Sequence, residues 1–99
     1  MMVGGYSDVK QPDEEITSLI ASLDADIQNN LQQFLEEEAS TIEVIHYKCQ
    51  VVAGMNYQVK LKVNENLYAH VAIFRPLPHT GESPRLMGVE TGKTLEDQL

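Results

Sequence analysis

Between Ile42 and Ile73 the chain repeats every second residue, and very little separates one run from the next. Met55, Tyr57, Val59, Leu61 and Val63 alternate with Asn56, Gln58, Lys60 and Lys62. Before that run, Ile45, Tyr47, Cys49 and Val51 alternate with His46, Lys48 and Gln50; after it, Leu67, Ala69, Val71 and Ile73 continue the pattern. A period of two places one set of side chains on one face of a strand. The breaks at 52–54 and Asn64-Glu65-Asn66 are too short for a crossover helix, so the strands must be antiparallel hairpins. A longer loop, 76–84, carries Pro76, Pro78, Gly81 and Pro84, and Leu86 to Val89 reads as a short last strand.

Upstream the period is 3.6. Ile16, Leu19, Ile20, Leu23, Ile27, Leu31, Phe34 and Leu35 recur in steps of three and four and trace one stripe of a helix. Pro12 and Asp13 mark its start, Asp13 as N-cap, with Glu14 and Glu15 at the positive end of the helix dipole. Glu36, Glu37 and Glu38 crowd the negative end, where the helix is expected to fray. One long amphipathic helix and a sheet with one apolar face must lie across each other. The expectation is an α+β fold, a single domain over 1–99 with one long helix on a curved four- to five-stranded antiparallel sheet. Residues 1–11 would form a flexible arm and a short first strand.

Composition then narrows the function. A 99-residue chain that is 42% hydrophobic can bury one core. The net charge of −8, from 15 acidic and 7 basic residues, excludes nucleic acid and an anionic membrane surface as partners. Cys49 is the only cysteine, so no internal disulfide forms. Residues 1–8 lack the basic region and apolar stretch of a secretory signal, and the chain is read as soluble and cytoplasmic. No metal or cofactor is expected. Cys49 falls on the inward face of its strand, where it reads as a small buried hydrophobe and not a nucleophile. His46 and His70 fall on the outer face with Lys60 between them, which argues against a metal and for a solvated row.

The turn between the first two runs is anomalous. Gln50-Val51-Val52-Ala53-Gly54 carries apolar residues where a tight turn should be polar, and exposed apolar groups at a tip call for something that covers them. If Val51 faces Met55, then Cys49 faces Tyr57, Tyr47 faces Val59 and Ile45 faces Leu61. If Val63 faces Leu67, then Leu61 faces Ala69, Val59 faces Val71 and Tyr57 faces Ile73. Both registers collect the large apolar residues on one face. Strand directions then put the 52–54 tip and the 76–84 loop at the same sheet edge, roughly 10 Å apart. If residues 6–10 pair antiparallel beside the first run, residues 1–5 end at that edge as well. An apolar ridge of arm, tip and loop results.

These residues resemble the stefins, the single-domain, disulfide-free branch of the cystatin superfamily of cysteine-protease inhibitors. The resemblance spans nearly the whole chain. It includes Met1-Met2-Val3-Gly4, Tyr47-Lys48-Cys49, the Gln50–Gly54 motif with Asn56-Tyr57, and Phe74-Arg75-Pro76-Leu77-Pro78-His79. It implies reversible blockade of papain-like cysteine proteases by a three-part wedge. Val3, Gly4 and Gly5 would enter the non-primed subsites, with Val3 filling a pocket. Gln50, Val51, Val52, Ala53 and Gly54 would sit over the catalytic Cys–His region, and Leu77, Pro78 and His79 would meet the primed side. The chain departs from the family in lacking an aromatic carboxyl end, and Gly4-Gly5 leaves open which glycine is the pivot. The alternative is a cystatin-fold module that binds a non-protease partner through the same ridge. A monomer is expected, and strand exchange at the tip offers a route to a domain-swapped dimer.

Overall fold

The computed structural model describes residues 6–33, 41–65 and 67–99. The arm residues Val3, Gly4 and Gly5, and the expected helix end with Phe34, Leu35 and Glu36 to Glu38, lie outside them. The helical stripe forms as two segments, α1 (Glu14–Ser22) and α2 (Asp24–Gln32), joined at Leu23. Leu19 explains the break. Its carbonyl accepts the Ser22 hydroxyl at 2.7 Å, while the Leu23 N–H bonds Ile20 at 3.1 Å, one residue short of the α-helical partner. The apolar stripe runs straight through: Ile16, Leu19, Ile20, Leu23, Ile27 and Leu31 are all buried. Asp13 caps α1 as expected, its Oδ1 accepting the Ile16 N–H at 2.9 Å.

Four antiparallel strands follow, β1 (Ile42–Val52), β2 (Gly54–Val63), β3 (Leu67–Pro76) and β4 (Arg85–Lys93), adjacent in chain order. The β2–β3 register is the expected one, with Val63 opposite Leu67, Leu61 opposite Ala69, Val59 opposite Val71 and Tyr57 opposite Ile73. In β1–β2, Val51 faces Met55, Cys49 faces Tyr57 and Tyr47 faces Val59 as expected. The expected pairing of Ile45 with Leu61 does not occur; Val44 takes that place, and a bulge falls between Val44 and His46. The cause is a change of phase in the sequence. Ile42 and Val44 are even-numbered, Tyr47 and Cys49 odd-numbered, and all of them pack on the core, so one residue must be added between the two sets. β4 is longer than expected, and two irregularities keep it in register with β3.

The core lies between the helices and the inner face of the sheet. Val59, Leu61 and Ile27 have no measurable exposure, and Val63, Val71, Ala69 and Ile73 have almost none. Burying each large side chain contributes on the order of 1.5–3 kcal/mol.

The outer face corrects the sequence reading. His46, Lys60 and His70 do lie in one cross-strand row, but both histidines are half-buried and the lysine between them is not solvated. Lys60 is fully buried beneath the segment that follows β4. Its Nζ donates to the main-chain oxygens of Thr94 at 2.9 Å and Leu95 at 2.7 Å, and to that of Asp97. Among the described residues no helix is long and apolar enough to cross a membrane.

Candidate functional site

The first strand exists in reduced form. Lys10 and Tyr47 exchange both backbone hydrogen bonds, at 2.7 and 3.1 Å, and the Ser7 N–H bonds the Cys49 carbonyl at 2.7 Å. Ser7 Oγ also accepts the Cys49 N–H at 3.1 Å and lies 3.7 Å from Cys49 Sγ. The segment from Ser7 to Lys10 thus runs antiparallel to β1. Ser7, opposite Cys49, is the end of this segment nearer the 52–54 tip. Tyr6 is exposed, and the Lys48 ammonium sits 5.1 Å from its ring centroid.

At the tip, Val52 faces Gly54 across the single intervening residue Ala53. Val51 is 69% exposed although its alternation places it on the inner face. The helix cap, Asp13, meets the Tyr47 hydroxyl at 2.6 Å, and Val51 stands four residues farther along β1, outside the core cluster that Met55 opposite it still joins. Ala53 is exposed, Val52 is half-buried, and Gln50 lies within β1 with its Oε1 accepting Asn56 Nδ2 at 3.3 Å.

Gly54 is different. It is buried, its φ is +132°, and it pairs with Pro76 of β3. A Cβ there would stand 2.5 Å from the Arg75 carbonyl oxygen and 2.9 Å from the Phe74 ring. Its part is to let the tip pack flat on β3. Because Gly54 faces Pro76, the tip and the second loop are immediate neighbours. Leu77, Pro78 and His79 are all exposed there. Pro78–Thr80 form a 3-10 turn, in which Thr80 Oγ1 donates to the Leu77 carbonyl at 2.8 Å and accepts the Glu82 N–H at 3.2 Å. Gly81 closes it in the left-handed region, at φ +71°.

Two side chains that the sequence reading passed over brace this edge from behind. Arg75 Nη1 pairs with Glu15 Oε1 at 2.8 Å, linking the end of β3 to the first turn of α1, and the Arg85 guanidinium lies 5.3 Å from the Phe74 ring centroid. Arg75 sits inside the Phe-Arg-Pro stretch, so the signal was present; its partner, across most of the chain, was not. Burial pushes the Tyr57 phenol up from its ordinary value, with Arg75 opposing. The edge offers apolar area on a braced backbone, with no nucleophile–base pair at Val51, Ala53 or Leu77.

The profile of the cystatin domain matches residues 23–95. The chain belongs to the cystatin family. This cystatin is 36% identical to Cystatin-A of Felis catus over 99 residues, covering all of this chain and 97% of that protein. It is 34% identical over 103 residues to Leukocyte cysteine proteinase inhibitor 1 of Sus scrofa, covering all of this chain and 92% of that one. It is 29% identical to Stefin-C of Bos taurus over 97 residues, covering 98% and 92%. With such relatives across its length, this is a cystatin of the stefin type.

Proposed function

We propose that this protein is a reversible, tight-binding inhibitor of papain-like cysteine proteases of the cathepsin type, acting in the cytoplasm and not as an enzyme. Its edge would fill the active-site cleft as a three-part wedge. The carrying observation is the adjacency of two exposed apolar elements, the Val51–Ala53 tip and the Leu77–His79 loop, locked together by Gly54 against Pro76. The name of the Sus scrofa relative, a cysteine proteinase inhibitor, agrees with this reading.

In the wedge, Val51, Val52 and Ala53 supply apolar area with few rotamers to immobilise, which keeps the entropy lost on binding small. Pro78 and the 3-10 turn hold Leu77 and His79 in one arrangement before contact. Val3, Gly4 and Gly5 would complete the wedge from the arm; the antiparallel pairing of Ser7 and Lys10 with β1 supports this reading. Gln50 and Gly54 shape the tip from within the sheet. A standard interface of about 1,600 Å² suffices for tight binding when such anchors dominate.

Titration of papain in steady-state assays tests this. Stoichiometric inhibition is expected, and Ala53→Glu, at an exposed site, should weaken it by more than about tenfold, roughly 1.4 kcal/mol, with unchanged unfolding. No inhibition at micromolar concentrations of folded protein would refute the proposal.

A further inference from the structure

Lys60 is the most deeply buried charged group among the described residues, and none of the ion pairs there includes it. The ion pairs recorded there are Arg75–Glu15 and Lys93–Glu90. An ammonium has three N–H donors. All three are taken by main-chain oxygens of Thr94, Leu95 and Asp97, so one side chain ties the segment after β4 to the middle of the sheet. Lys48 adds a second tie, its Nζ donating to the Leu99 main-chain oxygen at 2.5 Å. A turn within the segment completes the strap: the Thr94 N–H bonds Asp97 Oδ2 at 2.8 Å, and the Asp97 N–H bonds Thr94 Oγ1 at 3.2 Å.

A buried cation whose hydrogen bonds all go to carbonyl oxygens is sensitive to any further positive charge beside it. Two titratable groups stand beside this one, His46 directly opposite on β1 and His70 directly opposite on β3. His70 Nε2 is buried and has no hydrogen-bond partner. A protonated imidazole carries an N–H on both nitrogens, so charging His70 in place would leave a buried donor unpaired. We propose that residues 94–99 form a proton-operated clasp on the outer face of the sheet, closed while Lys60 is the only positive charge in its row and released when His46 and His70 become charged.

The other groups around this row are Lys48 on β1, Glu90 and Lys93 on β4, with Glu90 directly opposite His70, and Asp97 in the strap. Lys93 and Glu90 pair with each other at 3.1 Å and act on His70 in opposite directions. Burial first, and the Lys60 charge second, hold both histidines below their ordinary value of 6.5. A group whose pKa is depressed in the closed form takes up its proton more readily in the open form. Opening is therefore favoured as pH falls below 6.5. The Asp97 carboxylate is held below 3.8, first by the Thr94 N–H, so it stays ionised through this range and is not the trigger.

Amide hydrogen exchange of the full chain, followed for residues 94–99 and corrected for intrinsic rates, tests the clasp. Each unit by which a histidine pKa rises on opening corresponds to about a tenfold change in the opening equilibrium. Protection of the Thr94 and Asp97 amides should therefore fall by about tenfold or more between about pH 7.5 and pH 5, while β2 and β3 amides keep theirs. The double variant His46→Gln, His70→Gln should retain strap protection at the lower pH. Equal protection at both values, an equal loss in the double variant, or no strap protection at the higher pH would each overturn the proposal. Should the double variant not fold, imidazole NMR of the natural chain decides. His70 should titrate together with loss of strap protection, and a His70 that charges beneath an intact strap contradicts the clasp.

Discussion

The Tyr47 hydroxyl donates to Asp13 Oδ2 across 2.6 Å, while Oδ1 of the same carboxylate accepts the Ile16 N–H. One side chain therefore starts the helix and fastens it to the middle of β1. The two groups shift each other in opposite directions. Asp13 is held below 3.8, chiefly by Tyr47, and the Tyr47 phenol is held far above 10.0, chiefly by Asp13.

The stability difference between the natural protein and Tyr47→Phe should then depend on pH at both ends. The carboxylate contribution is present above 3.8 and is lost as pH falls through the lowered value; the phenol contribution is present below 10.0 and is lost as pH rises beyond it. Urea unfolding of both proteins should give the widest gap between those limits and a narrower one outside them. A gap independent of pH contradicts the coupling.

Gly54→Ala should lower stability by about 1–3 kcal/mol, because φ there is strained for any other residue and the new methyl meets the Arg75 carbonyl. The same variant should inhibit papain less well, since the tip must lift from Pro76. Chemical denaturation and inhibition titration read the two effects separately, and a fully stable Gly54→Ala would mean the close approach is absent.

Ile27→Ala and Ser22→Ala should behave oppositely, although both sit in the same helical stretch. Ile27 is fully buried, and its truncation should cost about 2–5 kcal/mol. Ser22 is exposed and bends the helix by capturing the Leu19 carbonyl, so its replacement should be neutral or stabilising by a few tenths of a kcal/mol. Urea midpoints of the two variants give the comparison.

A dimer formed by exchange of strands at residues 52–54 would straighten the turn and remove the tip. Size-fractionated protein assayed against papain should show inhibition in the monomer and none in such a dimer. Equal potency in both fractions would exclude exchange at this turn.

What the sequence disclosed follows from how far each signal reaches. Strand alternation is local, so the pairs from Val63–Leu67 to Tyr57–Ile73, and from Val51–Met55 to Tyr47–Val59, were legible. Constant register pairs Ile45 with Leu61, but the phase change at Ile42 and Val44 requires a bulge that gives that place to Val44. The outward position of Lys60 was legible; its burial was not, because residues 94–97 carry no periodicity that assigns them to a face. The apolar stripe is continuous and so predicts one helix, whereas the break at Leu23 lies in a carbonyl captured by the Ser22 hydroxyl, outside any pattern of hydrophobicity. At the candidate site, the apolar character of Val51 to Ala53 was plain from the letters. The packing of Gly54 on Arg75 belongs to a contact between strands.

Val51 and Ala53 are exposed at the tip, so folding places few demands on them. If the proposed wedge holds, drift at these positions would retune which cleft the edge fits while the domain stays intact. Gly54 and Pro76, buried one strand apart, hold still while their neighbours vary. Under that proposal, selection on target preference and selection on stability would act on interleaved but separate letters of one short turn.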